Sequence, residues 1–383
     1  MYRLGPDQEN VARLAAEVAD REIAPRAARA DREAAFPADS IAALGACGLL
    51  GLNVPREFGG MGQGLRTVAA VLDEIARRCS STAMVYLMHV CGIACYAAAP
   101  EKTAPQLRAA AQGRHLSTLA FSERGSRSHF WAPVSRAARD NGVVRITAHK
   151  SFVTSAGHAD GYVVSTLDAA AASGVESTIY LVLRDDPGVR VAGGWDGLGM
   201  RGNASAPMAL EGVAIGEERA LTAPGKGLDL MLGVVLPAFQ VGTAAIALGI
   251  AEAAVEATRR HLTETRFEHL GAALAEVPTL RARLAQMRVE TDRARAHLAS
   301  VIDALEAPGP STELLVLEAK AAATEAAVAV TDLAMRTCGG AAFGRGLVVE
   351  RLFRDARAPI VMAPTTDQAY DFIGRALCGL EVY

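Results

Sequence analysis

The sequence is poor in aromatic residues and balanced in charge. Phenylalanine, tryptophan and tyrosine make up 5% of its 383 residues, and the formal net charge is −3. A chain this close to neutral has no overall basic field to attract nucleic acid or anionic lipid. Neither nucleic acid nor a membrane surface is therefore an expected partner.

Metal-binding, signal and membrane patterns are also missing. There is no CxxC pair and no His/Cys cluster at metal-ligand spacing, so no metal site is predicted. The thiols are predicted to be reduced core residues: Cys47, Cys79, Cys91, Cys95, Cys338 and Cys378. No apolar leader opens the chain, and no stretch of about twenty residues is apolar throughout. We expect a cytoplasmic protein.

Apolar residues are plentiful, and their spacing divides the chain into three zones. They form 51% of the sequence, enough for a large core and for two or three domains. Helical spacing in the first zone and short β-branched runs in the second predict an N-terminal helical domain over residues 1–115 and a β domain over 116–222. Long helical repeats then predict a helical bundle over residues 223–383.

Particular residues carry these predictions. Val11, Leu14, Ala15 and Val18 follow the i, i+3, i+4, i+7 pattern of a helix. The β-branched runs lie at 143–146, 162–165 and 179–183, and turn residues separate them. The long C-terminal helices are predicted at about 229–263, 272–304 and 312–337.

A glycine-containing turn near the C-terminal end leads into a charged helix. Residues 338–344 read CGGAAFG, and residues 350–357 read ERLFRDAR. A helix start with little side-chain bulk before it is a common place for phosphate groups to bind. The pattern predicts contact with the phosphates of a cofactor.

Seven motifs, in order along nearly the whole chain, resemble those of the FAD-dependent acyl-CoA dehydrogenase superfamily. They lie at residues 55–62, 119–128, 150–155, 197–202, 247–251, 339–340 and 350–357. The resemblance implies an α+β multidomain fold: an N-terminal α-helical domain, a middle β-barrel or sandwich, and a C-terminal four-helix bundle. It also implies FAD as cofactor and a homo-oligomer, either a dimer or the family's usual homotetramer.

The resemblance places one set of residues at the flavin ring and another at its phosphates. The ring contacts would come from Phe121, Ser122, Ser128, Phe152 and Thr154, with Phe152 where the family usually has tryptophan. A guanidinium from a neighbouring subunit, together with the glycine turn, would bind the diphosphate or adenine. These residues and the C-terminal contacts are Arg266, Arg336, Gly339, Gly340, Thr365 and Asp367.

The position of the family's catalytic base is where the sequence departs from the resemblance. A thioester dehydrogenase needs a carboxylate that removes the α-proton while hydride passes from the β-carbon to flavin N5. The usual glutamate aligns with Ala363, and the glycine after it aligns with Pro364. The alternative glutamate position of some branches falls in residues 236–241, which contain no carboxylate. By the same resemblance Ser128, His89, Gln240 and Pro364 would contact the substrate.

Four side chains are candidates for a substitute base, and each has a structural alternative. Asp367 and Asp371 follow the C-terminal turn, where aspartate commonly caps a helix. Glu123 lies in the flavin loop and fits a structural role equally. His129 carries an imidazole, a common general base, yet beside aromatic residues it is also compatible with a satisfied structural role.

Three functions remain open on the sequence alone. The first is an FAD-dependent dehydrogenase of an acyl thioester or related small molecule, with a non-standard or absent base. The second is a flavin-dependent monooxygenase of the same fold, which uses reduced flavin and oxygen. The third is a non-catalytic FAD-binding relative. The two enzymatic hypotheses imply an electron-transfer or flavin-reductase partner.

Overall fold

The computed structural model describes residues 2–127, 129–168 and 170–382, and two helical regions flank a β region. The helices are α1 (Pro6–Val18), α2 (Ala24–Arg32), α3 (Ala38–Ala46), α4 (Leu65–Arg78), α5 (Ser80–Ala97), α6 (Pro100–Ala111), α7 (Gly227–Leu230), α8 (Leu236–Glu264), α9 (Pro278–Glu306), α10 (Thr312–Cys338), α11 (Gly340–Phe343), α12 (Val349–Asp355), α13 (Ala358–Val361) and α14 (Thr366–Leu377). The strands are β1 (Ser117–Ala120), β2 (Ala138–Asp140), β3 (Val143–Val153), β4 (Gly161–Leu167), β5 (Ser177–Leu183), β6 (Val189–Val191) and β7 (Ala206–Gly216). This architecture confirms the predicted fold class.

Helix α5 is the centre of the N-terminal region. Nearly all of its side chains are buried, because it packs against α4 and α6, against α8 of the bundle and against strand β1. Gly92 permits the contact with β1, since a Cβ atom at this position would lie 2.5 Å from Ser117 Oγ. A side chain at residue 92 would therefore push the helical region away from the β region.

The β region consists of two sheets. In the first, β4 lies between β1, which is parallel to it, and β5, which is antiparallel. The second is antiparallel in the order β2-β3-β7-β6. Side chains of β3 alternate between buried and exposed as far as Lys150, where the pairing with β7 becomes irregular before Val153. A side chain at such an irregularity points in a different direction from the one that the regular alternation of the strand would give it.

The C-terminal bundle is built from three long helices, α8, α9 and α10, with α14 packed against α10. The predicted helix at about 229–263 corresponds to α7, a π-helical turn (Met231–Val235) and α8 in succession, and the bounds of α10 agree with the prediction. The predicted start of α9 is wrong. This helix begins at Pro278 and not at residue 272, because proline has no backbone N–H and fits the first helical turn. A short 3-10 turn, Leu274–Glu276, precedes it.

Two helical segments are long and apolar enough to cross a membrane by composition. They are Ser80–Ala97 and Gly227–Glu264, and 83% of the relevant window in each is buried inside the fold. The burial of these segments in the protein core accounts for their apolar composition.

A buried ionic network joins the N-terminal helices to the bundle. The guanidinium of Arg295 on α9 lies 3.2 Å from Asp73 Oδ2 of α4 and 2.8 Å from Glu252 Oε2 of α8. The hydroxyl of Tyr2 donates to Asp73 at 2.8 Å. Because removing one partner would leave a buried charge uncompensated, this network fixes how the two helical regions pack.

Asp355, at the end of α12, connects all three regions. Its buried carboxylate accepts hydrogen bonds from the backbone N–H of Met200, at 2.6 Å, and from the hydroxyl of Ser80, at 2.9 Å. Met200 lies in the connection between β6 and β7, and Ser80 begins α5. Gly199 allows this approach, since a Cβ atom there would lie 2.5 Å from the carbonyl oxygen of Arg354.

We predict that Asp355→Ala lowers the free energy of unfolding by about 3 kcal/mol, since two buried donors lose their acceptor. Urea unfolding measures the change, with Asp332→Ala as control because Asp332 is a half-exposed acid on α10. Equal unfolding midpoints for the two variants would contradict the role assigned to Asp355.

Candidate active site

A cavity of about 860 Å³ lies between the β region and the helices. Its wall combines residues of α5, the loop after β1, strand β3, the loop before β7, the start of α8 and the segment after α12. A volume in this range is typical of cofactor and small-molecule sites. The meeting of all three regions at one cavity makes it the candidate active site.

Phe152 forms one side of the cavity. It lies in the irregular end of β3 with φ +54°, and the residue is 68% exposed. The indole of Trp195 stands edge-on to it, with ring centroids 6.3 Å apart. An aromatic ring left open in a cavity is a surface that a flat conjugated ring can cover.

The loop after β1 is fixed by a buried ion pair. Lys150 Nζ of β3 donates to Glu123 Oε1 at 2.5 Å and to the carbonyl oxygen of Ser165, also at 2.5 Å. Glu123 also accepts from the backbone N–H groups of Val134 and Ser135, at 3.0 and 2.8 Å, and from the Ser135 hydroxyl at 2.5 Å. Each carboxylate oxygen therefore has two donors.

These contacts determine the protonation of Glu123. Burial alone would raise the pKa of this carboxyl, but the adjacent Lys150 ammonium and the bonds from Ser135 hold the pKa below its ordinary value. Glu123 is the only acidic residue of the cavity wall within the described part of the chain. Because it is ionised and its oxygens are saturated with donors, it is poorly suited to remove a proton from a substrate.

Polar and basic side chains occupy the β side of the cavity. The hydroxyls of Thr154 and Ser205 lie 2.9 Å apart, and both line the wall. Arg124, Arg127 and His149 also line this wall. This side of the cavity can donate hydrogen bonds and carries positive charge.

The helical side of the cavity is apolar. Met84 and Met88 come from α5, Phe239 comes from the first turn of α8, and Met362 and Ala363 come from the segment between α13 and α14. Ala363 presents only a methyl group. This wall can pack against a hydrocarbon or an aromatic ring but offers no proton acceptor.

Behind Ala363 lies a buried lysine. Lys320 of α10 is fully buried, and its Nζ donates to the carbonyl oxygens of Met362, at 2.6 Å, and of Pro364. Burial lowers the pKa of this amine to about 7. No described carboxylate forms an ion pair with it.

Comparison with known proteins gives matches along most of the chain. Residues 5–111, 118–213 and 225–378 match, in this order, the N-terminal, middle and C-terminal domain profiles of acyl-CoA dehydrogenase. The chain belongs to the acyl-CoA dehydrogenase family. Members of this family are FAD-dependent oxidoreductases, and the resemblance recognised in the motifs is confirmed.

Individual relatives are distant but similar over their full length. Cyclohex-1-ene-1-carbonyl-CoA dehydrogenase of Syntrophus aciditrophicus (strain SB) is 28% identical over 98% of this chain and 91% of that protein. Butyryl-CoA dehydrogenase from Megasphaera elsdenii has a similar structure, with a TM-score of 0.92 and 21% identity over 98% of this chain and 99% of that one. TdsC from Paenibacillus sp. A11-2, in complex with FMN and indole, gives a TM-score of 0.87 and 23% identity, with 97% of each chain covered. The two structural matches show the fold alone.

The cavity suits the flavin of an acyl-CoA dehydrogenase. Of the residues predicted at the ring, Phe121, Ser122, Phe152 and Thr154 all line it. The open face of Phe152 and the adjacent hydroxyl pair supply an apolar surface and hydrogen-bonding groups on the same side. Ser128, predicted to contact both flavin and substrate, lies outside the described residues.

The residues predicted at the cofactor phosphates lie away from the cavity. Arg266 is exposed and donates to the carbonyl oxygen of Gly271 at 3.0 Å. Arg336 is exposed, 3.8 Å from Asp332, and the neighbouring Gly339 and Gly340 are exposed too. Within one chain these four residues and the cavity form separate surfaces, so their contact with the cofactor stays a prediction that requires a second subunit.

The C-terminal turn has a structural explanation. Thr365 caps α14, because its hydroxyl accepts from the N–H of Gln368 at 3.2 Å while its own N–H donates to Gln368 Oε1 at 3.0 Å. Asp367 and Asp371 are exposed on α14, and neither belongs to the cavity wall. The prediction that Asp367 replaces the base finds no support in this placement.

His89 was predicted to line the substrate pocket, and its position requires a correction. The ring is fully buried away from the cavity wall, with Nε2 2.8 Å from the carbonyl oxygen of Leu50. The Ser117 N–H donates to His89 Nδ1 at 3.1 Å. Burial lowers the pKa of His89 to about 4, so this imidazole is a neutral link between α5, the Leu50 turn and β1.

Three further candidates also lie outside the described cavity wall. His129 is exposed, 3.3 Å from the carbonyl oxygen of Ser126 and edge-on to Trp131, so its proposed role as a base is not supported. Gln240 is fully buried, and its amide has no hydrogen-bond partner in the described structure. Pro364 is buried behind Ala363, with its carbonyl facing Lys320. A direct substrate contact is therefore not seen for Gln240 or Pro364.

Sequence patterns missed several cavity residues. Trp195 and the methionines of α5 come from separate regions, and no local motif connects them with Phe152. Lys320 had a detectable signal, because it lies one turn after Val316 and one turn before Thr324 on the buried face of α10. A lysine at such a position must find buried acceptors.

We predict that Lys150→Met and Glu123→Gln each lower the free energy of unfolding by about 3 to 5 kcal/mol, because each removes one partner of a buried charge pair. The double variant should lose less than the sum of the two single variants. Urea unfolding provides the values. Glu211→Gln is the matched control, since Glu211 pairs with Arg190 on the surface. Additive losses would argue against coupling in the pair.

The buried amine of Lys320 predicts a pH dependence of stability. Its pKa is about 7 in the folded chain and near 10.5 when unfolded, so the unfolded chain binds more protons between these values. This group therefore makes the free energy of unfolding rise with pH across that window. We predict that wild type gains roughly 2 kcal/mol relative to Lys320→Met between about pH 7 and pH 9. Parallel pH profiles in urea unfolding would contradict this titration.

Proposed function

We propose that the protein is an FAD-dependent oxidoreductase that dehydrogenates an acyl thioester or a related small molecule without a carboxylate at residue 363. The observation that supports this is the cavity itself: the open ring of Phe152 lies on one side, Ala363 on another, and Glu123 is fully occupied by Lys150 and Ser135. When bound, the flavin supplies hydride acceptance at N5.

The chain's own residues define what the cavity contributes. Phe152 and Trp195 offer apolar ring surface, while Thr154 and Ser205 offer hydroxyl groups on the same side. The methionines of α5 and Phe239 exclude water from the opposite side. Loss of a general base typically lowers a rate by about 10² to 10⁴. The proposed substrate therefore has an unusually acidic proton or one that can pass to solvent.

A second candidate is oxygenation by reduced flavin and oxygen. The observation that favours it is the same methyl-lined wall at Ala363, since such a reaction needs no base for an α-proton. TdsC from Paenibacillus sp. A11-2, which has a similar fold, forms a complex with FMN and indole, and this makes the chemistry worth testing here. A flavin-reductase partner would then be required, in place of an electron-transfer partner.

We also propose that a second copy of the chain completes the cofactor site. Arg266, Arg336 and the Gly339–Gly340 turn are exposed in one chain and lie apart from the cavity. Guanidinium groups bind diphosphate through several charge-assisted hydrogen bonds. A homotetramer, the usual assembly of the family, would supply such contacts between subunits.

Two measurements separate the functional hypotheses: flavin absorbance after anaerobic mixing with a thioester, and oxygen transfer in the presence of O₂. Loss of visible flavin absorbance with butyryl-CoA or cyclohex-1-ene-1-carbonyl-CoA supports dehydrogenation. No loss with either thioester, together with transfer of labelled oxygen from O₂ to an aromatic substrate by the reduced protein, supports oxygenation. Purified protein that neither carries nor binds FAD would support the non-catalytic alternative and overturn both.

We predict that Ala363→Glu increases the rate of flavin reduction by butyryl-CoA at least about tenfold, because it restores a proton acceptor to the cavity wall. Ala363→Gln is the control, since glutamine has the same shape and cannot accept the proton in this way. Stopped-flow absorbance under anaerobic conditions measures both rates. Equal rates for the two variants would contradict a thioester bound against residue 363.

A further inference from the structure

Lys320 is an unusual residue for the interior of a helical bundle. Its side chain is fully buried, and the described residues provide it with no carboxylate partner. Burying an amine away from water is unfavourable unless its donors are satisfied. An apolar residue of similar length would fill the same space without this cost, so packing alone does not explain a lysine here.

The acceptors of the amine lie on both sides of one cavity residue. Lys320 Nζ donates to the carbonyl oxygens of Met362, at 2.6 Å, and of Pro364, and the residue between them is Ala363. Met362 and Ala363 line the cavity. The segment is too short to hold itself in place, because α13 ends at Val361 and α14 begins at Thr366.

A second anchor from the same helix holds the other end of the segment. The hydroxyl of Thr324, one turn after Lys320 on α10, lies 3.0 Å from the hydroxyl of Thr366. This contact fixes the first residue of α14 and not the cavity wall. The two anchors therefore have different roles. Thr324 holds the start of α14, whereas Lys320 holds the irregular backbone that faces the cavity.

We propose that Lys320 is a positioning residue that sets the location of residue 363 in the cavity wall, acting through the backbone carbonyls of Met362 and Pro364. It does not contact a ligand itself, since it lies behind the wall. The inference rests on the proposed function only in treating the cavity as the flavin and substrate site.

The test compares Lys320→Met, which keeps the length and loses the donors, with Lys320→Gln, which keeps an N–H₂ group. Thr324→Val is the matched control on the same helix. Hydrogen exchange followed by mass spectrometry reports on the peptide spanning residues 358–366. Urea unfolding and the Kd for FAD added to flavin-free protein are measured on the same samples.

We expect exchange in residues 358–366 to be about tenfold faster in Lys320→Met, as for loss of one to two hydrogen bonds. The Kd for FAD should rise by a similar factor, while Lys320→Gln lies between this variant and wild type. Thr324→Val should leave the Kd for FAD near wild type and should speed exchange in this peptide much less than Lys320→Met does, because in this segment Thr324 contacts only Thr366. If Lys320→Met fails to fold, the comparison of Lys320→Gln with Thr324→Val decides the question by the same two readouts.

Wild-type exchange in residues 358–366 and wild-type FAD affinity in the folded Lys320 variants would overturn the inference. Equal effects in Thr324→Val and the Lys320 variants would also overturn it, because they would show a general loss of packing. If the proposed function is wrong, the wild-type chain itself would bind no FAD. The exchange data alone would then still decide whether Lys320 positions residue 363.

Discussion

The buried pair of Lys150 and Glu123 is the interaction on which the cavity depends. It joins the loop after β1 to the end of β3, at the place where the strand becomes irregular and exposes Phe152. Four donors surround one carboxylate, so the loop has little freedom to move. The same saturation removes Glu123 from acid–base chemistry. One structural solution therefore shapes the β wall and leaves it without an available base.

The helical wall of the cavity has an anchored backbone at residue 363 but an unreactive side chain. The backbone around residue 363 is held by Lys320, while the side chain at 363 is a methyl group. The backbone is therefore anchored at this position, but the side chain there cannot accept a proton. This arrangement favours a reaction in which the wall packs against the substrate and a group other than residue 363 accepts the substrate's proton.

Connections between regions explain why the cavity can form at their junction. Asp355 ties α12 to the β region and to α5, and Arg295 ties α9 to α4 and α8. Buried charges of this kind tolerate little displacement, because a shifted partner leaves an unpaired group in a medium of low polarity. Asp355 holds Met200, which lines the cavity, and the Arg295 network stabilises the helices behind the wall.

The sequence by itself determined the three-part architecture and the family, and its motifs selected Phe121, Ser122, Phe152 and Thr154, which line the cavity, because periodicity and motifs are local properties of the chain. It also revealed the alanine at residue 363. Only the tertiary structure decided that His89 is a buried link, that His129 and Asp367 lie outside the described cavity wall, and that Glu123 has no free lone pair for a proton. It alone showed that Lys320 reaches the carbonyls around Ala363. Hydrogen-bond saturation and burial depend on groups far apart in the chain, and no local pattern encodes them.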